Sequence, residues 1–267
     1  MFKKNTMKSN LIFPPSTIGR ALVVTALVGS FAATALCQIP SAAVWPLPIV
    51  AQGSNPETVG TPRDEWVSRV QSSLDQTKGK HFDLIFDGDS ITDFWQGTGR
   101  AVWAAHYGAL KAYDFGISAD KVENLLWRLQ QGQVDGLDPK LVVLMIGTNN
   151  SGRDSVDQIA EGVSNVTAEY VKRCPHAQIL LLGIFPRSPL ATDPIRAKTT
   201  AINQKISALQ SDRVTYLDIG PKFLEADGTL TKEVMPDALH PSAKGYEIWA
   251  DAIQSVVDKY VPKSGSD

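Results

Sequence analysis

The chain has 267 residues, with 26 Lys and Arg against 28 Asp and Glu and a formal net charge of −2. Residues 1–37 carry four cations and no acid, so without them the charge falls to −6. No basic stripe remains, which excludes nucleic acid as an expected partner. About 230 residues are left, enough for one domain with a sizeable core.

Residues 1–37 read as a secretory signal. Lys3, Lys4, Lys8 and Arg20 form a positive start, and Ala21 to Leu36 is an uncharged, mostly apolar run. Ala33-Thr34-Ala35 and Ala35-Leu36-Cys37 are both plausible cleavage sites. A membrane span needs ~20 apolar residues, so an uncleaved anchor is the lesser alternative and the only membrane contact expected. A lipid attached at Cys37 is disfavoured, because Leu36 is bulky where a small residue belongs. The expected location is secreted or periplasmic. Cleavage leaves Cys174 alone, so the mature chain forms no internal disulfide and the thiol reads as structural.

Residues 38–62 hold Pro40, Pro46, Pro48, Pro56 and Pro62, the composition of a linker or surface arm. The domain is expected over 63–262. It opens with a helix at 63–77 and a strand at 82–87. A strand from Ala109 to Phe115 follows, then a helix marked by Val122, Leu125, Leu126 and Leu129. The near-continuous apolar run Leu141–Ile146 is a strand buried on both faces. Ile159, Val163, Val166 and Tyr170 mark a helix, Gln178–Ile184 a strand, Ile202, Ile206 and Leu209 a helix, and Val214–Leu217 a strand. A last helix spans about 242–260. This alternation predicts an α/β fold with a parallel sheet of about five strands covered on both faces.

The segment Gly88-Asp89-Ser90 ends an apolar strand, and in open α/β sheets ligands bind at that edge. A serine hydroxyl needs a base to act as nucleophile. His240 stands out among the histidines because Asp237 precedes it by three residues, between Pro236 and Pro241. One loop can then present the imidazole to a serine and hold its other nitrogen on the carboxylate. Oxyanion donors are also required. Gly116 and Ser90 offer backbone N–H groups and Asn149 a side-chain amide. Each signal alone is ordinary turn or loop chemistry; their order is what carries weight. His81, His106 and His176 read as surface or packing residues.

Gly88-Asp89-Ser90, Gly116, Gly147-Thr148-Asn149 and Asp237-Ala238-Leu239-His240 resemble, in this order, the four blocks of the SGNH (GDSL-like) hydrolase family. The resemblance extends to the platelet-activating-factor acetylhydrolase catalytic-subunit type. It is carried there by Asp114-Phe115-Gly116-Ile117, Leu126-Trp127-Arg128-Leu129, Pro139–Val143, Ile146–Asn150 and Phe185-Pro186-Arg187, over roughly residues 80–257. It implies a flavodoxin-like three-layer sandwich and ester hydrolysis with no metal and no cofactor. Ser90 would be the nucleophile, His240 the base and Asp237 its orienter, with Ser90, Gly116 and Asn149 as oxyanion hole. The resemblance also implies a structural Asp89, a preference for acetyl or short acyl esters, and leaves a homodimer open. The chain departs from the pattern at Ile91, where leucine is usual, and at Ala119, where glycine is frequent.

Ile91, Thr148 and Leu239 neighbour catalytic positions and are expected to bound a small acyl group. Phe94 and Trp95 are expected at the entrance, with core packing as their alternative, and Arg187 at the rim. The expected partner is a small-molecule or carbohydrate acyl ester. Phospholipid acetylhydrolase, lysophospholipase and arylesterase activity remain alternatives. Two readings of other classes compete. Leu84–Ile91 also fits the opening of haloacid-dehalogenase-like phosphatases, with Asp87 as nucleophile, Asp89 as acid/base and Mg²⁺ beside them. A non-catalytic sugar-binding domain on a hydrolase frame is the other. No Gly-x-Ser-x-Gly elbow surrounds Ser90, which disfavours the α/β-hydrolase fold.

Overall fold

A computed structural model describes residues 55–262. The signal segment and most of the Pro-rich arm lie outside the described residues. Five short strands form one parallel sheet: β1 (Leu84–Gly88), β2 (Ala112–Asp114), β3 (Leu141–Met145), β4 (Gln178–Leu182) and β5 (Val214–Leu217). Their order is β2-β1-β3-β4-β5, so the chain reverses direction across the sheet between β1 and β3. A switch point of this kind opens a crevice at the carboxyl ends of the strands.

Among the described residues, seven α-helices accompany the sheet: α1 (Val67–Thr77), α2 (Ser90–Asp93), α3 (Arg100–His106), α4 (Val122–Gln130), α5 (Val156–Arg173), α6 (Pro194–Ile206) and α7 (Ala243–Tyr260). Alternation along each strand assigns the two faces. Leu84 and Phe86 of β1 join Trp249 and Ile253 of α7 in one core, while Ile85 joins Leu125 of α4 and Val163 of α5 in the other. This is a three-layer sandwich, as expected.

Local chemistry explains where the helices start. Ser155 caps α5 and exchanges hydrogen bonds with Gln158, Asp193 caps α6 ahead of Pro194, and Ser242 caps α7. The strand expected over Ala109–Phe115 is shorter. β2 is an edge strand that pairs only with β1, from Leu84↔Ala112 to Phe86↔Asp114, and the chain before it turns at Tyr107–Leu110.

Residues 55–61 of the arm pack on the domain. Pro56–Thr58 forms a 3₁₀ turn, the side chain of Glu57 is fully buried, and Thr61 donates its N–H to the Glu123 carbonyl of α4 and accepts from Asn124 Nδ2. Gly60 lies so close to Trp127 and Gln130 that a Cβ would collide with them. Cys174 is buried beneath α5, and burial pushes its thiol up to about 12, which fits a structural residue.

Candidate active site

The turn after β1 is built by steric exclusion. A Cβ on Gly88 would sit 2.2 Å from the Met145 carbonyl oxygen and 2.4 Å from Thr92 Oγ1. Asp89 then caps α2, its Oδ1 accepting the Ile91 N–H at 3.0 Å. Ser90 therefore opens a helical turn at the carboxyl edge of the sheet, with only 7% of its surface exposed. Tyr246 Oη in α7 donates to the Ile91 carbonyl at 2.7 Å and ties this turn to the layer below. Burial pushes the Asp89 carboxyl up to about 7, and its Oδ2 has no partner among the described residues.

The loop before α7 brings His240 to the serine. Ser90 Oγ and His240 Nε2 are 2.8 Å apart, and His240 Nδ1 meets Asp237 Oδ2 at 2.6 Å. Asp237 Oδ1 accepts the backbone N–H groups of Leu239 and His240 at 3.0 and 2.7 Å. Burial raises the Asp237 carboxyl, but these hydrogen bonds outweigh it and hold the group below the usual carboxylate range. Ala238, between acid and base, has φ 59°, a left-handed conformation that costs a non-glycine residue about 1–2 kcal/mol. Its carbonyl accepts from Ser188 N, which helps hold the loop in this shape. Phe94 lies against the imidazole at 4.9 Å between ring centroids.

The three expected oxyanion donors differ in state. Ser90 N–H heads the first turn of α2, where N–H groups lack helical partners. Asn149 stands on the 3₁₀ turn Thr148–Asn150, after Gly147 at φ 124°. Its Nδ2 donates to the Asp120 carbonyl at 2.9 Å, leaving the second amide N–H for a ligand. The Gly116 N–H is already engaged, donating to Asp114 Oδ1 at 2.8 Å. That corrects the expectation of a free donor at Gly116. The glycine is needed for another reason: a Cβ there would sit 2.3 Å from Asp93 N in α2.

The expected pocket residues separate. Trp95 is not at the entrance. It is wholly buried among Phe86, Trp103, Tyr107, Tyr246 and Trp249, because an aromatic cluster fills the layer between sheet and α7. Ile91 and Thr148 are 1% and 2% exposed. Leu239 is half-buried, and together with Arg187 and Asp237 it lines a cavity of about 430 Å³. The other histidines meet carboxylates elsewhere: His81 pairs with Asp83, His106 with Glu247 and His176 with Asp138.

The phosphatase reading fails at Asp87. Its side chain is fully buried and its Oδ1 is paired with Arg128 at 3.0 Å. Its Oδ2 accepts from Gln133 Nε2 at 2.9 Å and from the Tyr170 hydroxyl. A carboxylate so enclosed cannot attack phosphate. Arg128 also reaches Asp120 Oδ2 at 2.8 Å and the carbonyls of Gly88 and Phe115 at 3.3 Å. It thus joins the ends of β1 and β2 to the segment that holds Asn149. An arginine inside the apolar stripe Leu125–Leu129 was the sequence signal for this buried cation. Asp114 and Asp120 carried no comparable signal.

Comparison with known proteins follows the same lines. The GDSL-like Lipase/Acylhydrolase family model matches residues 86–248. The platelet-activating factor acetylhydrolase IB subunit alpha1 of Bos taurus is 30% identical over 211 residues, spanning 76% of this chain and 89% of that protein. Among solved structures, a GDSL-like lipase from Bacteroides thetaiotaomicron superposes with a TM-score of 0.57 at 19% identity, covering 77% of this chain and 99% of its own. An acetylxylan esterase from Geobacillus stearothermophilus does so with a TM-score of 0.55 at 22% identity, covering 66% and 94%. These two likenesses bear on the fold, whereas the family match and the acetylhydrolase relative bear on the chemistry. The chain belongs to the GDSL-like lipase/acylhydrolase family and is an ester hydrolase.

Proposed function

We propose that the chain is an exported serine esterase that removes acetyl or other short acyl groups, carbohydrate acetyl esters among them, through Ser90, His240 and Asp237. The observation that carries this reading is the continuous hydrogen-bonded line from Ser90 Oγ through His240 to Asp237 Oδ2, at 2.8 and 2.6 Å. His240 Nε2 takes the serine proton as Oγ attacks the ester carbonyl. Asp237 keeps the Nδ1 proton in place and stabilises the imidazolium. The tetrahedral oxyanion is held by the Ser90 N–H and the free N–H of Asn149, and by Gly116 only once it releases Asp114. His240 then protonates the departing alcohol, leaving an acyl-serine. Water repeats the sequence in reverse roles and frees the acid.

A second reading is hydrolysis of an acetylated phospholipid. It is favoured by the acetylhydrolase relative, just as the acetylxylan esterase neighbour favours a carbohydrate ester. Export rests on the residues of the N-terminal segment, outside those described.

The test is p-nitrophenyl acetate hydrolysis in excess EDTA. Wild type is expected to turn over, Ser90→Ala and His240→Ala to lose turnover while folded, and Asp237→Asn to lose most of it. Normal hydrolysis by either of the first two variants would refute the triad.

A further inference from the structure

The cavity of about 430 Å³ beside the triad has an unusual charge arrangement. Its walls include Asp237 and Leu239, which flank the His240 loop, and Ser151 and Gly152, which follow Asn149. It therefore lies against the loop that presents His240, the group that protonates the departing alcohol. Arg187 lines it, half-buried, with Nη1 donating to the Thr148 carbonyl at 3.1 Å. Two further half-buried cations on α6 stand outside the cavity lining and bond to carbonyls near its wall. Arg196 donates to the carbonyls of Ser188 and Gly228 at 3.2 Å each, and Lys198 Nζ donates to the Ser151 carbonyl at 2.6 Å.

None of these three cations has a carboxylate within ion-pair distance among the described residues, although most other arginines of the domain do. The two acids in the cavity wall have nearer partners, and Asp193 attracts Arg187 and Arg196 only at longer range. Asp193 accepts from Ile195 N at 3.0 Å and from Ser188 Oγ at 2.7 Å, and Asp237 serves His240. The Arg187 guanidinium, partly removed from water and bonded to one carbonyl and, at 3.5 Å, to the hydroxyls of Thr148 and Ser151, lacks the partner that its planar fork fits best. That partner is a carboxylate or phosphate.

We propose that this cavity is the subsite for an anionic oxygen group on the alcohol half of the ester, with Arg187 as its direct contact and Arg196 and Lys198 supplying supporting field. The proposal rests on the serine esterase reading, in which His240 protonates that alcohol. The chemistry has two sources, a uronate carboxylate on an acetylated sugar or the phosphate of an acetylated glycerolipid.

The test compares matched acetyl esters by kcat/KM. One pair is an acetylated methyl glucosiduronate, with its carboxylate free, and the corresponding methyl glucoside; the other is acetylglycerol phosphate and acetylglycerol. Wild type is expected to favour the anionic member of at least one pair by about ten- to a hundredfold, chiefly through KM. The pair that shows the larger preference identifies the source. The preference should shrink at high salt, collapse in Arg187→Gln and survive in part in Arg187→Lys. Equal rates for charged and neutral members in wild type, or a preference that persists undiminished in Arg187→Gln, would overturn the subsite. Failure of wild type to hydrolyse any of the four esters, or p-nitrophenyl acetate, would instead overturn the esterase reading beneath it.

Discussion

At the residue scale, the site depends on how each polar group is already committed. Asn149 spends one amide N–H on the Asp120 carbonyl, which pins the side chain and leaves the other donor preorganised. Asn149→Ala is expected to lower kcat by about 10²–10³ while KM moves less. A variant that raised KM at unchanged kcat would remove Asn149 from the oxyanion hole. Gly116 shows the opposite arrangement. Its position in the motif was legible, but the capture of its N–H by Asp114 was not, because that bond depends on how the loop closes after β2. Ala119, noted as a departure from glycine, has φ 63° and so holds a conformation glycine would adopt without strain. Trp95 takes the core-packing alternative over the entrance, because its role is set by five aromatic neighbours drawn from β1, α3 and α7 or their flanks, which no local pattern brings together.

At the scale of elements, the 55–61 segment is a clasp on α4 and α5. Asn55 Nδ2 donates to the Gln158 carbonyl at 3.1 Å and to Glu161 Oε2 at 2.8 Å. Buried Glu57 meets Asn150 Nδ2 and accepts from Arg153 at 2.7 Å, beside Glu123 and Asp154. Burial, then the bonds to Glu123 and Asp154, push the Glu57 carboxyl from 4.5 up to about 9. The folded chain therefore keeps a proton that the unfolded chain releases above 4.5. The associated stability is complete below that value and is lost as pH rises through about 9. Glu123 and Asp154 are held low despite burial, by hydrogen bonds that include those from Arg153, so their contribution changes only in acid. Glu57→Gln mimics the protonated acid. Thermal melts between pH 6 and 9 should show wild type losing on the order of 1 kcal/mol per pH unit more than the variant. Asp89, raised to about 7, contributes to both proteins alike. Parallel melting curves would show that Glu57 is not the proton holder. The proline content of the arm left a linker and a surface arm equally open; the burial of one glutamate within it was invisible without the pocket that receives it.

At the scale of the whole molecule, the parallel sheet brings the loops after β1, β2 and β3 to one edge, and the loop before α7 closes over them. Export is the prediction that belongs here, since it concerns the chain as a unit. The protein recovered outside the cytoplasm should begin close after Ala35 or Cys37, as read by intact mass. A full-length cytoplasmic product would remove the signal reading. The sequence by itself determined the fold class and strand order of appearance, because apolar runs and helical stripes report burial directly. It also singled out Ser90, Asp237 and His240 as candidates, because the motifs carry their chemistry locally. Tertiary structure alone decided that Ser90 and His240, 150 residues apart, stand at 2.8 Å. It alone decided that Asp87 is locked by Arg128, that the Gly116 N–H is engaged by Asp114 and that Arg187 lines a cavity beside Asp237 while bonded to the Thr148 carbonyl. The physical reason is common to all of these. Hydrogen bonds and ion pairs are short-ranged and directional, so a residue's availability depends on neighbours that the chain supplies from distant elements.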